Sequence, residues 1–173
     1  MLLDKPFVLC KAQDLTYGGS PAASTDQAKM TAKQWSGITD LFLVVDTETI
    51  AVGDGSDTFK YELRVATQVG LTTYLQVLCV EITGYADARL ANAGNHVLNI
   101  NVGKAVRDRA QALRVAQSLT DTDYIYVGLY STVSEDATHS INAALSPSEP
   151  HTDYFRQIVD SPVGVPTQVS AGS

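Results

Sequence analysis

This sequence has few of the residues that build reactive or metal-binding sites. Among its 173 residues are two cysteines and three histidines, and His96, His139 and His151 lie far from one another. Metal centres and catalytic triads need such side chains at defined spacings, and the sequence contains no zinc motif, phosphate-binding loop or serine-hydrolase elbow. The sequence therefore predicts a protein that is not an enzyme of any kind, metal-dependent enzymes included. It also predicts that the protein holds no metal and no cofactor.

The two cysteines, Cys10 and Cys79, are too few for a disulfide framework. Each lies within an apolar run. We expect buried, reduced thiols, and a single bridge between two neighbouring strands is the alternative.

Basic residues and long apolar runs are also scarce. Twelve Lys and Arg residues face 19 Asp and Glu residues, which gives a net charge of −7 and a pI near 4.7. Nucleic acids and anionic membrane surfaces attract basic proteins, so we expect neither as a partner. The longest apolar run, residues 41–45, is too short to cross a bilayer, and the first residues lack the pattern of a signal peptide. We expect a soluble protein made in a cytoplasm.

What the sequence does contain is a series of short segments typical of strands. Some of them alternate between apolar and polar residues, as half-buried strands do, whereas residues 41–45 are apolar throughout. The segments are residues 6–12, 41–45, 50–52, 59–65, 71–83, 96–102, 123–133 and 140–145. A turn over residues 53–57 is the clearest break between them. This pattern is typical of an all-β protein, and it predicts a jelly-roll-like β-sandwich.

Residues 104–119 fit two patterns. Val106, Ala110 and Leu113 recur at helical intervals, which permits a helix. Residues 113–119 also alternate, and a turn follows them. We favour a loop that runs into a strand over residues 112–119.

Two further parts of the chain lack clear strand patterns. Residues 13–37 predict a long loop, in which a short helix over residues 26–34, capped by Thr25, is the alternative. Residues 148–173 are rich in Pro, Ser and Gly and predict an extended C-terminal tail. The predicted organisation is a β-sandwich domain over residues 1–147, with an extended N-terminal arm and the loop 13–37, followed by the tail 148–173.

The most strongly patterned segment is residues 123–133, which with residues 140–145 predicts a hairpin of two long strands. Successive strand side chains point to opposite faces, so Ile125, Val127, Leu129 and Val133 share one face. Tyr124, Tyr126 and Tyr130 share the other. Tyrosines on one face fit either cross-strand packing inside the sandwich or contact with a partner.

The aromatic residues supply the candidates for a protein–protein interface. These are Tyr124, Tyr126, Tyr130, Phe7, Trp35, Tyr154 and Phe155. Two charged clusters have simpler explanations. Asp46, Glu48 and the turn 53–57 fit a solvated turn better than a calcium site. The basic cluster consists of Lys104, Arg107, Arg109 and Arg114. It fits an ordinary solvated surface better than a contact site for an acidic protein.

The order of these segments resembles that of the capsid-decorating, or cement, proteins of short-tailed bacteriophages. The resemblance covers roughly residues 7–147. It rests on a first strand that ends in Gln13-Asp14-Leu15, the Gly53-Asp54-Gly55 turn before residues 61–66, the segment 71–77, and above all the segment 123–133. Asp123 stands where such proteins often have arginine, and the connections 18–37 and 84–94 are longer than theirs.

The resemblance implies a jelly-roll-like domain on the outer surface of an icosahedral capsid, produced in the host cytoplasm. It would bridge neighbouring major capsid subunits as a symmetric oligomer, for which we favour a dimer over a trimer. The alternative is a carbohydrate- or receptor-binding module of a phage particle, because aromatic side chains on a strand also stack on sugar rings.

Overall fold

Two antiparallel sheets face each other across one apolar core in the computed structural model, which describes residues 7–16, 22–51, 56–83, 96–133 and 138–147. The elements are β1 (Phe7–Thr16), β2 (Ala22–Ala23), β3 (Ala28–Thr31), α1 (Ala32–Ser36), β4 (Phe42–Ala51), β5 (Thr58–Ala66), β6 (Tyr74–Thr83), β7 (His96–Asn101), α2 (Gly103–Ala116), β8 (Tyr124–Val133) and β9 (Thr138–Ser146).

The first sheet, here sheet A, has the strand order β1-β9-β4-β7. The second, sheet B, has the order β8-β5-β6, and the short strands β2 and β3 both pair with the free side of β8. All of these pairs are antiparallel. The prediction of a mostly-β, sandwich-like fold is therefore confirmed.

The core forms where the alternating rows of the two sheets meet. On β5 the row that the sequence predicts to be apolar, from Phe59 to Val65, is buried against the opposite sheet. The predicted row on β8, from Ile125 to Val133, faces the same core, as do Ile141 and Leu145 of β9. Alternation works here as a predictor because each sheet has one side turned to the core.

Helix α1 begins with a capping box. The backbone N–H of Gln34 donates to Thr31 Oγ1 at 3.3 Å, and the N–H of Thr31 donates to Gln34 Oε1 at 2.9 Å. The next residue, Trp35, enters the core, where its Nε1 donates to the carbonyl oxygen of Ile125 at 3.0 Å. The prediction of a loop over residues 13–37 is wrong in its described part, which contains the end of β1, both short strands of sheet B and α1. The cap is Thr31, not Thr25.

The prediction of a strand over residues 112–119 is also wrong, because α2 extends to Ala116. Its residues Val106, Ala110 and Leu113 lie on one side and are buried in the core, whereas Val115 is 71% exposed. The segment forms a helix because a helix buries all three of these apolar side chains, and this burial stabilises it more than the short alternating stretch at its end could stabilise a strand. α2 packs against α1, β5 and β6.

The predicted hairpin of residues 123–133 and 140–145 does not form, although both strands exist. β8 lies in sheet B beside β5, and β9 lies in sheet A between β1 and β4. The two strands face each other across the core instead of pairing. Apolar alternation shows which side of a strand is buried, but it looks the same for two paired strands and for two opposed strands.

The cysteines lie in different sheets and are both free thiols. Cys10 is buried in the core, as predicted, whereas Cys79 is exposed on β6. The prediction of a buried Cys79 is wrong because β6 is the last strand of its sheet and this residue points away from the core. The predicted tail, residues 148–173, lies outside the described residues.

Candidate protein interface on the outer face of sheet B

The tyrosines of β8 lie on the outer face of sheet B, turned away from the core. They share it with charged residues of β5, because the strand register places Tyr130 opposite Glu62 and Gly128 opposite Arg64. We call this surface the tyrosine face. Its members are Lys29 from β3, Lys60, Glu62 and Arg64 from β5, Tyr74 from β6, and Tyr124, Tyr126 and Tyr130 from β8.

Arg64 is held between two aromatic rings. Its guanidinium carbon lies 3.4 Å from the ring centroid of Tyr130 and 3.7 Å from that of Tyr74. Both distances are well within the range of a cation–π contact. Glu62 fixes the same guanidinium through an ion pair with Nη2 and a hydrogen bond from Nε at 3.1 Å. One buried arginine therefore ties the rings of two non-adjacent strands into a rigid unit.

Glu62 is the acidic centre of this unit. Burial alone would raise its pKa, but hydrogen bonds from Lys60 and Arg64 outweigh burial and lower the pKa of the carboxyl group. Lys60 Nζ lies 3.0 Å from Glu62 Oε1, and the hydrogen bond with Glu62 raises the pKa of Lys60. The sequence predicts polar residues at these positions on a half-buried strand. Instead, Glu62 and Arg64 are buried, because neighbouring side chains cover them.

The other end of the face has a second cation–aromatic contact. Lys29 Nζ lies 4.1 Å from the ring centroid of Tyr124 and 5.7 Å from that of Tyr126. Tyr124 is 51% exposed and Tyr74 is 37% exposed. The face thus presents two accessible rings, each already oriented by a neighbouring cation.

A leucine from the β5–β6 connection separates these two ends. Leu71 follows Gly70, and both adopt positive φ, +55° and +89°. This backbone folds Leu71 back over Gly128, where the leucine is fully buried. A Cβ on Gly128 would come within 2.8 Å of both Leu71 Cδ1 and Gln27 Cγ. A larger residue at this point of β8 would therefore force Leu71 or Gln27 to shift. Leu71 divides the face into a Tyr124 patch and a Tyr74–Arg64–Tyr130 patch.

The predicted interface residues fall into four groups. Tyr124 is exposed on the outer face, and Tyr126 and Tyr130 are partly buried there. Phe7 begins β1 in sheet A and packs partly against the core. Trp35 has no exposed surface, so its prediction as a contact residue is wrong, since its ring fills the core instead. Tyr154 and Phe155 lie outside the described residues.

Sequence reasoning missed the partners of the tyrosines. The signal was present on β5, where Lys60, Glu62 and Arg64 alternate in charge at a spacing of two. Residues at that spacing share one side of a strand, so they can form a line of ion pairs. The position of Leu71 could not be predicted, because the path of the β5–β6 connection depends on backbone angles and the alternation of apolar residues gives no information about them.

The charged clusters of the sequence do not form a metal site in the described ranges, where no three His, Cys, Asp or Glu side chains come together. Most of the turn 53–57 lies outside those ranges. On α2, Lys104 contacts Asp108 at 2.6 Å and Arg107 contacts it at 3.6 Å. Arg114 contacts Asp121 at 2.6 Å. Most of the basic cluster is thus paired locally at the surface.

Within the described ranges, neither helix has the length and apolar character needed to span a membrane. No protein-family model matches the sequence, and no curated protein matches it. The tyrosine face must therefore be interpreted from its own geometry.

Proposed function

We propose that this chain is a structural protein of a bacteriophage virion. In this proposal it has a jelly-roll topology, is made in the host cytoplasm, attaches to the outer surface of an icosahedral capsid and bridges neighbouring major capsid subunits. The tyrosine face is the observation that carries the proposal. It is an exposed aromatic surface whose rings are oriented before any partner arrives. The resemblance in segment order to capsid-decorating proteins supports the same conclusion.

The contacts around Arg64 explain why such a surface would bind well. Ordering a free side chain on binding costs roughly 0.5–1.5 kcal/mol, and this cost is reduced when the rotamer is already fixed. Tyr74 and Tyr130 are fixed against Arg64, and Arg64 is fixed by Glu62. Tyrosine and arginine are also the residues that most often dominate protein interfaces. The face therefore has both the composition and the rigidity of a binding surface.

Co-sedimentation with capsids tests the proposal. The full chain is mixed with empty expanded capsids of its phage, and the bound amount is measured against concentration. We expect saturable, stoichiometric binding that Y74A and Y124A each weaken about tenfold or more, as expected for interface residues that contribute strongly. V115A is the control, because Val115 is also an exposed apolar residue, at 71%, but lies on α2. Absence of wild-type binding would refute the proposal.

A carbohydrate- or receptor-binding module is the second candidate. The observation that favours it is the pair of accessible rings, Tyr74 and Tyr124, on one face of the sheet. Sugar rings stack on such side chains. A glycan array probed with the full chain distinguishes the two functions, since saturable glycan binding that Y74A or Y124A removes, together with no capsid binding, would favour this candidate.

A further inference from the structure

We propose that the capsid subunit bound by the tyrosine face presents an acidic side chain to the Tyr124 patch. The inference rests on the proposed attachment to a capsid and names the chemistry that this end of the face would recognise. Its basis is one cation, Lys29, which β3 places beside β8 and over the rings of Tyr124 and Tyr126.

The cations around Arg64 are compensated by carboxylates of the same face. Glu62 pairs with Arg64 and also with Lys60. Glu81 of β6 lies directly opposite Lys60 in the strand register. These two cations and two carboxylates balance one another, so this part of the face presents its aromatic rings without a net charge.

The Tyr124 patch lacks such compensation among the described residues. Lys29 is exposed and makes no ion pair with any residue in those ranges. Its ammonium group contacts the two aromatic rings instead. Ring faces attract a cation but do not neutralise its charge. A single positive charge therefore remains at this end of the face, in a chain whose net charge is −7.

The two carboxylates that precede β8 are bound to other groups. Asp121 pairs with Arg114 of α2 at 2.6 Å. Asp123 accepts hydrogen bonds from the backbone N–H and the hydroxyl group of Thr120, at 2.7 and 2.9 Å. The ammonium group of Lys29 is thus left for a partner.

A carboxylate is the group that complements this patch. Its oxygens can accept hydrogen bonds from the ammonium group of Lys29 and from the hydroxyl group of Tyr124, whose side chain is exposed. A partner cation would be repelled, and an apolar side chain would bury the ammonium group without a hydrogen-bond partner. Because only this end of the face attracts an acidic residue, the contact would also fix the orientation of the capsid subunit on the sheet.

Two substitutions of Lys29 separate attraction of a partner carboxylate from orientation of the rings. K29Q and K29E both remove the cation over Tyr124, but only K29E places a negative charge before the partner. We expect K29Q to weaken capsid binding about three- to tenfold, and K29E to weaken it at least about tenfold further. Raising the salt concentration should narrow the gap between the two variants.

K104Q and K104E are the matched controls. The side chain of Lys104 is also exposed, but it lies on α2 and not on the tyrosine face. Each control changes the net charge of the chain by the same amount as its counterpart at Lys29. We expect the two controls to bind within about twofold of each other. Co-sedimentation of the full-length chains with empty expanded capsids, at low and at high salt, measures all four variants beside wild type, and urea unfolding verifies that each is folded.

The possible results separate this inference from the proposed function. If wild type binds capsids and K29Q and K29E are equally weak, the acidic contact is excluded and the capsid attachment stands. Tighter binding by K29E than by K29Q has the same meaning, since the patch would then meet a positive group. Equal gaps at Lys29 and Lys104 would also overturn the inference, because the effect would then belong to the charge of the whole chain. If wild type does not bind capsids, the proposed function fails and this inference fails with it.

Discussion

Trp35 and Ile125 are joined by a buried hydrogen bond of 3.0 Å, from the indole nitrogen to a main-chain oxygen. This bond connects α1 to β8, 90 residues later in the sequence. The indole ring has no exposed surface and lies among the residues of both sheets. Trp35 therefore joins the helical end of the sandwich to the strand that carries most of the tyrosine face.

The substitution W35F should lower the free energy of unfolding by about 1–3 kcal/mol. It keeps an aromatic ring but removes the donor, which leaves the buried carbonyl of Ile125 without this partner. Urea unfolding followed by circular dichroism measures the change. V115A, on the exposed side of α2, should change the same quantity by less than about 0.5 kcal/mol. An unaffected W35F would show that the hydrogen bond contributes nothing measurable.

Glu62 should make the free energy of unfolding depend on pH. Its pKa in the folded chain lies below the ordinary value of 4.5, so its contribution is present above that value. It is lost as the pH falls through the lower, folded pKa. E62Q should be less stable than wild type by about 1–3 kcal/mol at neutral pH, because the charge-assisted hydrogen bonds from Lys60 and Arg64 weaken. The difference should shrink in acid.

Unfolding free energies at neutral pH and at several acidic values check this expectation. D14N is a suitable control because Asp14 is exposed on β1, in the other sheet. If E62Q and wild type keep the same difference at every pH, the ion pairs of Glu62 do not cause the dependence.

Gly128 and Leu71 should be energetically coupled. G128A places a Cβ 2.8 Å from Leu71 Cδ1 and should cost about 1–3 kcal/mol through overpacking. L71A should cost about 2–5 kcal/mol because it removes a buried side chain. The double variant should cost less than the sum by about 0.5–3 kcal/mol, since the shortened side chain makes room for the new methyl group.

A double-mutant cycle from thermal unfolding measures this coupling. V69A, in the same connection but 67% exposed, should show no coupling to G128A. Strict additivity of G128A and L71A would contradict the contact across the outer face.

Thr31 should stabilise α1 and Thr25 should not. T31A removes the capping box and should lower stability by about 1 kcal/mol. T25A loses only a 3.4 Å contact to the carbonyl oxygen of Leu9 and should fall within about 0.5 kcal/mol of wild type. Chemical denaturation of both variants provides the comparison. Equal losses would mean that the capping box has no special role.

The strands were the predictable part of this fold. Alternation placed β5, β7 and β8 within a few residues and correctly identified the core-facing rows of β5 and β8. It could not assign strands to sheets, because β8 and β9 have the same pattern whether they pair or face each other. It also misjudged α2, where tertiary burial of Val106, Ala110 and Leu113 decided between two patterns present in the same segment.

The candidate site was predictable only as a row of tyrosines. The parity of a single strand placed Tyr124, Tyr126 and Tyr130 on one face, but it left open whether that face points to the core or away from it. Their cationic partners Lys29 and Arg64 come from other strands. The register between these strands is set by long-range pairing, which cannot be predicted from the sequence of a single segment. Tyr74 was overlooked for the same reason.

The pairing of the first described strand with the last has a consequence for synthesis on the ribosome. β1 has β9 as its sheet partner, with Phe7 opposite Leu145. β1 therefore lacks this sheet partner until more than a hundred further residues have been translated. Sheet A can close only after β9 has left the exit tunnel, so we expect this sheet to fold late in synthesis and to need protection from premature association until then.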